Sequence, residues 1–150
     1  MTASARRSAG ALVALAFTVL PAIGKEPAIY APGGIALSGY DAVTYFTESQ
    51  PERGSPEHML MWRGAKWYFS SPGTMERFEM NPTAYAPQYG GYCAYGISEG
   101  QAESGAPGAF VIYHGKLYIL HDAKLLDEAR AHIQQIIDAA EQHWPAAIGH

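Results

Sequence analysis

Phe110-Val-Ile-Tyr-His-Gly-Lys-Leu-Tyr-Ile-Leu120 runs directly into His121-Asp-Ala-Lys-Leu-Leu-Asp-Glu-Ala-Arg-Ala-His-Ile-Gln-Gln-Ile-Ile-Asp-Ala-Ala-Glu-Gln-His-Trp144. In the first half, two bulky runs, Phe110 to Tyr113 and Lys116 to Leu120, flank His114-Gly115, the pattern of a β-hairpin with a two-residue turn. In the second half, Leu126, Ala129, Ile133, Ile137, Ala140 and Trp144 recur at intervals of three and four. That spacing makes one face of an amphipathic helix, which Pro145 ends.

Further towards the N-terminus the signals shorten. Pro87 to Gly100 holds four glycines and the tyrosines Tyr89, Tyr92 and Tyr95 around Cys93, with no long helical period. Ser71-Pro72 and Asn81-Pro82 each start a short helix, because the polar residue caps it and proline tolerates the first helical position. Met75 and Phe78 then point inward one turn apart. His58 to Trp62 and Lys66 to Ser70, around Arg63-Gly64-Ala65, predict a first hairpin in which Met59 and Met61 share one face and His58 and Leu60 the other. Aromatic strands must bury a face, so this Trp62 to Trp67 hairpin is expected to pack on the Ile133/Ile137 stripe of the last helix. Asp41 is expected to cap a helical turn through Phe46. The sequence shows no internal repeat. The whole is a small α+β domain with two β-hairpins, short helices and a C-terminal amphipathic helix.

Composition narrows the function. The chain has 150 residues, 48 % apolar and 12 % aromatic, with only 16 % charged, against roughly 25 % in an average soluble protein. Ten Lys and Arg face 14 Asp and Glu, a net charge of −4. This disfavours a nucleic-acid partner, which would need a basic footprint. Residues 1–24 combine Arg6 and Arg7, an apolar run from Ala9 to Leu20 and a Pro/Ala/Gly exit, which predicts a cleavable signal peptide and a periplasmic or secreted protein. The run is about 12 residues, short of the roughly 20 that span a bilayer, so no stable membrane insertion is expected after removal. The expected organisation is leader 1–24, an extended arm over 25–38, the domain over 39–145 and a tail over 146–150.

Gly39-Tyr-Asp-Ala-Val-Thr-Tyr-Phe46, Trp67-Tyr-Phe-Ser-Ser71, Phe78, Asn81-Pro-Thr-Ala-Tyr85, Pro87-Gln-Tyr-Gly-Gly-Tyr-Cys-Ala-Tyr-Gly96, Gly115-Lys-Leu-Tyr118 and Trp144-Pro145 together resemble an exported YHS domain protein. The resemblance covers nearly all of the chain after the leader. It implies a small domain of unassigned biochemical role whose shorter relatives, attached to copper-transporting ATPases and some oxygenases, are thought to hold metal through cysteines. In some exported relatives a selenocysteine stands at the place of Cys93. The cysteine positions of the metal-associated branch correspond to Thr44, Ser70 and Thr74 here. Hydroxyls are poor ligands for soft metals, so these three are expected to serve helix capping and core hydrogen bonding.

Cys93, the single cysteine, supports two readings. A functional thiolate needs exposure and a polar or electropositive surrounding, which a Gly-Gly-Tyr-Cys-Ala-Tyr-Gly context can supply through free N–H groups. A structural cysteine is simply a small buried hydrophobe. The expectation taken forward is an accessible Cys93 that binds a soft metal ion, copper as Cu(I), or handles redox equivalents without classical turnover. Met59, Met61 and His121 are its candidate accessory ligands; otherwise the methionines fill core and His121 is a surface imidazole. One rival is a ligand- or protein-binding module with a structural Cys93, in which Tyr89, Tyr92 and Tyr95 floor a pocket for a planar ligand or pack as core walls. Another is a thiol-dependent redox enzyme. No hydrolase, phosphate-loop or zinc-finger pattern is present. The leader reading predicts that the exported protein begins near Lys25. Intact mass checks it, and a mature species retaining Leu12 to Leu20 would contradict it.

Overall fold

Two left-handed turns set the geometry of the computed structural model, which describes residues 25–48 and 50–150; the expected leader lies outside them. After a single helical turn, α1 (Thr44–Thr47), strand β1 (Ser55–Trp62) pairs antiparallel with β2 (Ala65–Phe69). The turn between them takes Arg63 at φ 48° and Gly64 at φ 78°. Helices α2 (Pro72–Met80), α3 (Pro82–Tyr85) and α4 (Ala94–Ser98) follow. Strand β3 (Ala106–Tyr113) then pairs with β4 (Lys116–Leu120) across His114 at φ 49° and Gly115 at φ 71°, and α5 (Leu126–His143) closes the order. Two successive positive φ values give the type I′ turn, whose twist matches that of antiparallel strands. The architecture is α+β, as the sequence predicts.

The two hairpins are structural copies. Trp62↔Ala65 and Tyr113↔Lys116 close the two turns, and both registers shift at the same place, after Ser55 in β1 and after Ala106 in β3. Each hairpin is followed after a short connection by a capped helical segment. Ser71 Oγ accepts the Thr74 N–H at 3.2 Å to start α2, and Asp122 Oδ1 accepts the Lys124 N–H at 2.9 Å ahead of α5. A connection this short leaves a helix little reach beyond its own hairpin.

That constraint corrects the expected docking of the first hairpin on the last helix. Trp62 and Trp67 pack against Phe78 of α2, with ring centroids 5.6 and 5.0 Å away. Helix α5 packs on α4 and on β3 of the second hairpin, burying Ala129, Ile133, Ile136 and Ala140. Ile136 therefore takes the inward position assigned to Ile137, which is half-buried. Met59 and Met61 do not fill core; they are 38 % and 61 % exposed, on the outer face of β1.

Two apolar clusters result, and β4 serves both. Leu117 and Ile119 enter the cluster of Trp67, Phe69 and Phe78, whereas Tyr118 and Leu120 enter that of Ile97, Ile133 and Ile136. Successive strand side chains point to opposite faces, so one strand forms the wall between two cores. The N-terminal arm is pinned across them: the Tyr30 N–H donates to Gly90 O at 2.9 Å and the Tyr92 hydroxyl to Pro27 O at 2.8 Å. The C-terminal residues join in, since Ile148 is buried and its carbonyl accepts the Glu26 N–H at 3.1 Å.

Asp41 is the buried polar hub of the first cluster. Its Oδ1 accepts the Val43 N–H at 2.9 Å in the turn before α1, whose N-cap is Val43 and not Asp41 as expected, and its Oδ2 accepts both the N–H (2.8 Å) and the hydroxyl (2.9 Å) of Ser70. It thus ties the turn of α1 to the end of β2. Unsatisfied buried groups cost about 1–3 kcal/mol each, and Asp41→Ala strands three donors. A loss of about 3 kcal/mol or more is expected in denaturant unfolding, and an unchanged midpoint would contradict the hub. The placement of α5 predicts that Ile136→Asp lowers stability by about 3 kcal/mol or more, as an unpaired buried charge does. Ile137→Asp is expected to cost clearly less; equal losses would contradict the placement.

Candidate functional site

Cys93 has zero exposure and caps α4, its Sγ accepting the Gly96 N–H at 3.5 Å. The Cys93 N–H itself donates to Glu103 O at 3.0 Å. Burial pushes the thiol pKa up, and the opposing backbone donors, Gly96 first, do not offset it. The expectation of an accessible thiol is therefore corrected. The glycines around Cys93 serve packing: a side chain on Gly96 would meet Glu103, and one on Gly105 would collide with the Gly91 backbone.

The proposed accessory ligands do not converge on the sulfur. Neither Met59 nor Met61 belongs to the cluster that encloses Cys93, and both face solvent on β1. The His121 backbone is close enough to influence the thiol, but the ring is exposed, with Nδ1 3.0 Å from Ser104 Oγ. Among the described residues no three His, Cys, Asp or Glu side chains gather as a metal-binding group. As a copper site, Cys93 with these three partners does not fit.

Thr44, Ser70 and Thr74 do meet, lining one polar cavity of about 320 Å³ with Glu48, Glu52 and Arg77. Their hydroxyls are committed as expected. Thr44 Oγ1 donates to Asp41 O and accepts the Glu52 N–H, Ser70 Oγ donates to Asp41, and Thr74 Oγ1 completes the capping box with Ser71.

The tyrosine loop is mostly core. Tyr92 is buried and donates to Pro27 O, and Tyr95 is half-buried against the second cluster. Tyr89 differs. Buried in the same cluster and held at φ 52° in the turn before Cys93, it packs 5.8 Å from the Trp144 ring, donates to Glu141 Oε1 at 3.2 Å, and with its 5 % of exposed surface borders a cleft of about 350 Å³. Trp62 and Trp144 form further walls, with Arg63 and Lys116 at the two hairpin turns; the arm contributes Ala28 and Ile29. The Arg63 guanidinium lies over the Trp62 ring, 4.6 Å from its centroid, a cation–π contact. Of these wall residues the sequence reading singled out only Tyr89. The available signal was a pair of hairpin turns each bordered by a cation, Arg63 and Lys116, with tryptophan beside one of them.

Set against family models, curated proteins and solved structures, the chain finds no match in any of the three comparisons.

Buried phenols make the fold sensitive to alkali. Burial, with Tyr40 adding, raises the Tyr45 pKa well above the ordinary 10.0; burial, then Glu141, does the same for Tyr89. Tyr92 is pushed up to about 12, by burial and then Glu26. The folded chain holds these protons more tightly than the unfolded one, so the stabilisation is complete below pH 10 and is lost as pH rises through the folded values. The melting temperature is expected to fall from about pH 10 upward, with tyrosinate absorbance at these groups appearing only as structure is lost. Normal titration of all ten tyrosines near pH 10 with unchanged circular dichroism would contradict this.

Proposed function

We propose that this chain is an exported, YHS-like domain that works as a non-catalytic binding module, taking a small planar ligand in the Trp62/Tyr89/Trp144 cleft and using Cys93 as a structural cap. The observation that carries the reading is the cleft itself: three aromatic walls around about 350 Å³, within the range of small-molecule sites. Aromatic faces favour planar partners through offset and edge-to-face contacts. The walls come from two hairpin ends, the arm and the end of α5. Each belongs to a well-packed element, so the site is preorganised and little ordering opposes binding. The enclosure of Cys93 supports a thiol that neither turns over nor exchanges a soft ion rapidly, and among the described residues no helix is long and apolar enough to cross a membrane.

The test is titration with an uncharged aromatic probe, 2-naphthamide, followed through the three tryptophan indole N–H resonances. Millimolar probe is expected to shift the Trp62 and Trp144 signals in a saturable way, with Trp144→Ala weakening binding about tenfold or more, as loss of an aromatic contact of about 1.5 kcal/mol would. Absence of saturable shifts would sink the proposal.

A further inference from the structure

We infer that the cleft selects planar aromatic anions over neutral and cationic analogues of the same shape; the inference rests on the ligand-binding reading above. It begins from a mismatch of charge. The chain carries a net −4, and because the predicted leader holds Arg6 and Arg7 but no acid, the remainder carries 8 basic against 14 acidic residues, or −6. Acidic residues outnumber basic ones on such a molecule, so a concave site lined by cations alone runs against its overall charge. Among the described residues, the only charged side chains lining this cleft are Arg63 and Lys116.

Three features make those cations available to a ligand. Neither has a carboxylate within salt-bridge distance among the described residues, where the one ion pair is Arg130 with Asp127. Both sit at type I′ turns, Arg63 in the first turn itself and Lys116 immediately after the second, so the paired strands fix their Cα positions. Arg63 is further held over the Trp62 ring, which leaves the edge of the guanidinium, with its forked N–H donors, as the part able to meet a carboxylate or another planar anion. Among the described residues the one carboxylate bonded to a wall residue, Glu141, accepts the Tyr89 hydroxyl and does not itself line the cleft. A ring between Trp62, Tyr89 and Trp144 would thus find its anionic substituent facing Arg63 and Lys116.

The experiment compares three probes of one shape on the full mature chain by isothermal titration: 2-naphthoate, 2-naphthamide and 2-naphthylmethylammonium. Hydrogen bonds to charged groups are stronger than those between neutral ones, so naphthoate is expected to bind about tenfold or more tighter than the amide, and the ammonium more weakly than the amide. The naphthoate advantage is expected to shrink with added salt, and within the variant Arg63→Gln/Lys116→Gln naphthoate and naphthamide are expected to bind alike. If naphthoate and naphthamide bind alike, or the double variant keeps the preference, the charge selection is overturned while the cleft remains a ligand site. If none of the three binds, both the selection and the cleft reading fall.

Discussion

Strand β4 has to be buried on both faces, and the rest of the molecule is arranged around that demand. Leu117 and Ile119 complete one apolar cluster while Tyr118 and Leu120 complete the other. A two-stranded hairpin is marginal in water alone, and here neither hairpin extends the other, since the sheets remain two separate pairs. What joins the two ββα units is side-chain packing through β4, to which Phe110 of β3, 4.9 Å from the Tyr45 ring, and the N-terminal arm add contacts. Truncating a buried leucine in such a wall costs about 2–5 kcal/mol, and the loss would be felt by two cores. The first hairpin lacks this arrangement: β2 buries Ala65, Trp67 and Phe69 on one face and leaves Lys66 exposed on the other.

The cleft follows from the same arrangement. Two hairpins held side by side through β4 bring their turns near one another, so that Trp62 and Arg63 from one and Lys116 from the other border a common space. The arm and Tyr89 supply further wall. Gly90 is required there because a Cβ on it would run into the Ala28 carbonyl while its own carbonyl accepts the Tyr30 N–H. Cys93, a few residues on, has a local role: its sulfur and carbonyl accept the Gly96 and Ile97 N–H groups that open α4. A residue whose rarity in the sequence drew attention turns out to be placed by packing.

Much of the fold was legible because its signals are local. His114-Gly115 and Arg63-Gly64 announced tight turns, Ser71-Pro72 and Asn81-Pro82 announced helix starts, and the periodicity after Leu126 announced α5. The docking of those elements was not legible. Ile136 and Ile137 lie about 100° apart around the helix, and packing against α4 and the β3–β4 hairpin decides which one is buried. The likeness of the two hairpins was hidden as well, because Ser55 to Phe69 and Ala106 to Leu120 share register and turn type with little residue identity. The site was legible least. Tyr89 was visible in its glycine-rich loop, but Arg63 read only as a turn residue, Lys116 as a strand start and Trp144 as a helix end, and their meeting is a tertiary fact. Met59 and Met61 illustrate the converse, since alternation gave their shared face correctly while which face turns outward depended on where Phe78 packs.

The account stands on β4 coupling the two clusters into one cooperative structure, and native-state hydrogen exchange tests that most directly. The amides of Trp67 in β2 and of Ile133 in α5 lie in different clusters, on opposite sides of the shared strand. The account predicts that, as denaturant is raised, both converge on one opening free energy equal to that of global unfolding, as members of a single cooperative unit do. Ile133 keeping its protection after Trp67 has exchanged, or the reverse, would contradict it, because the two ββα units would then unfold independently and β4 would not be the wall that holds them together.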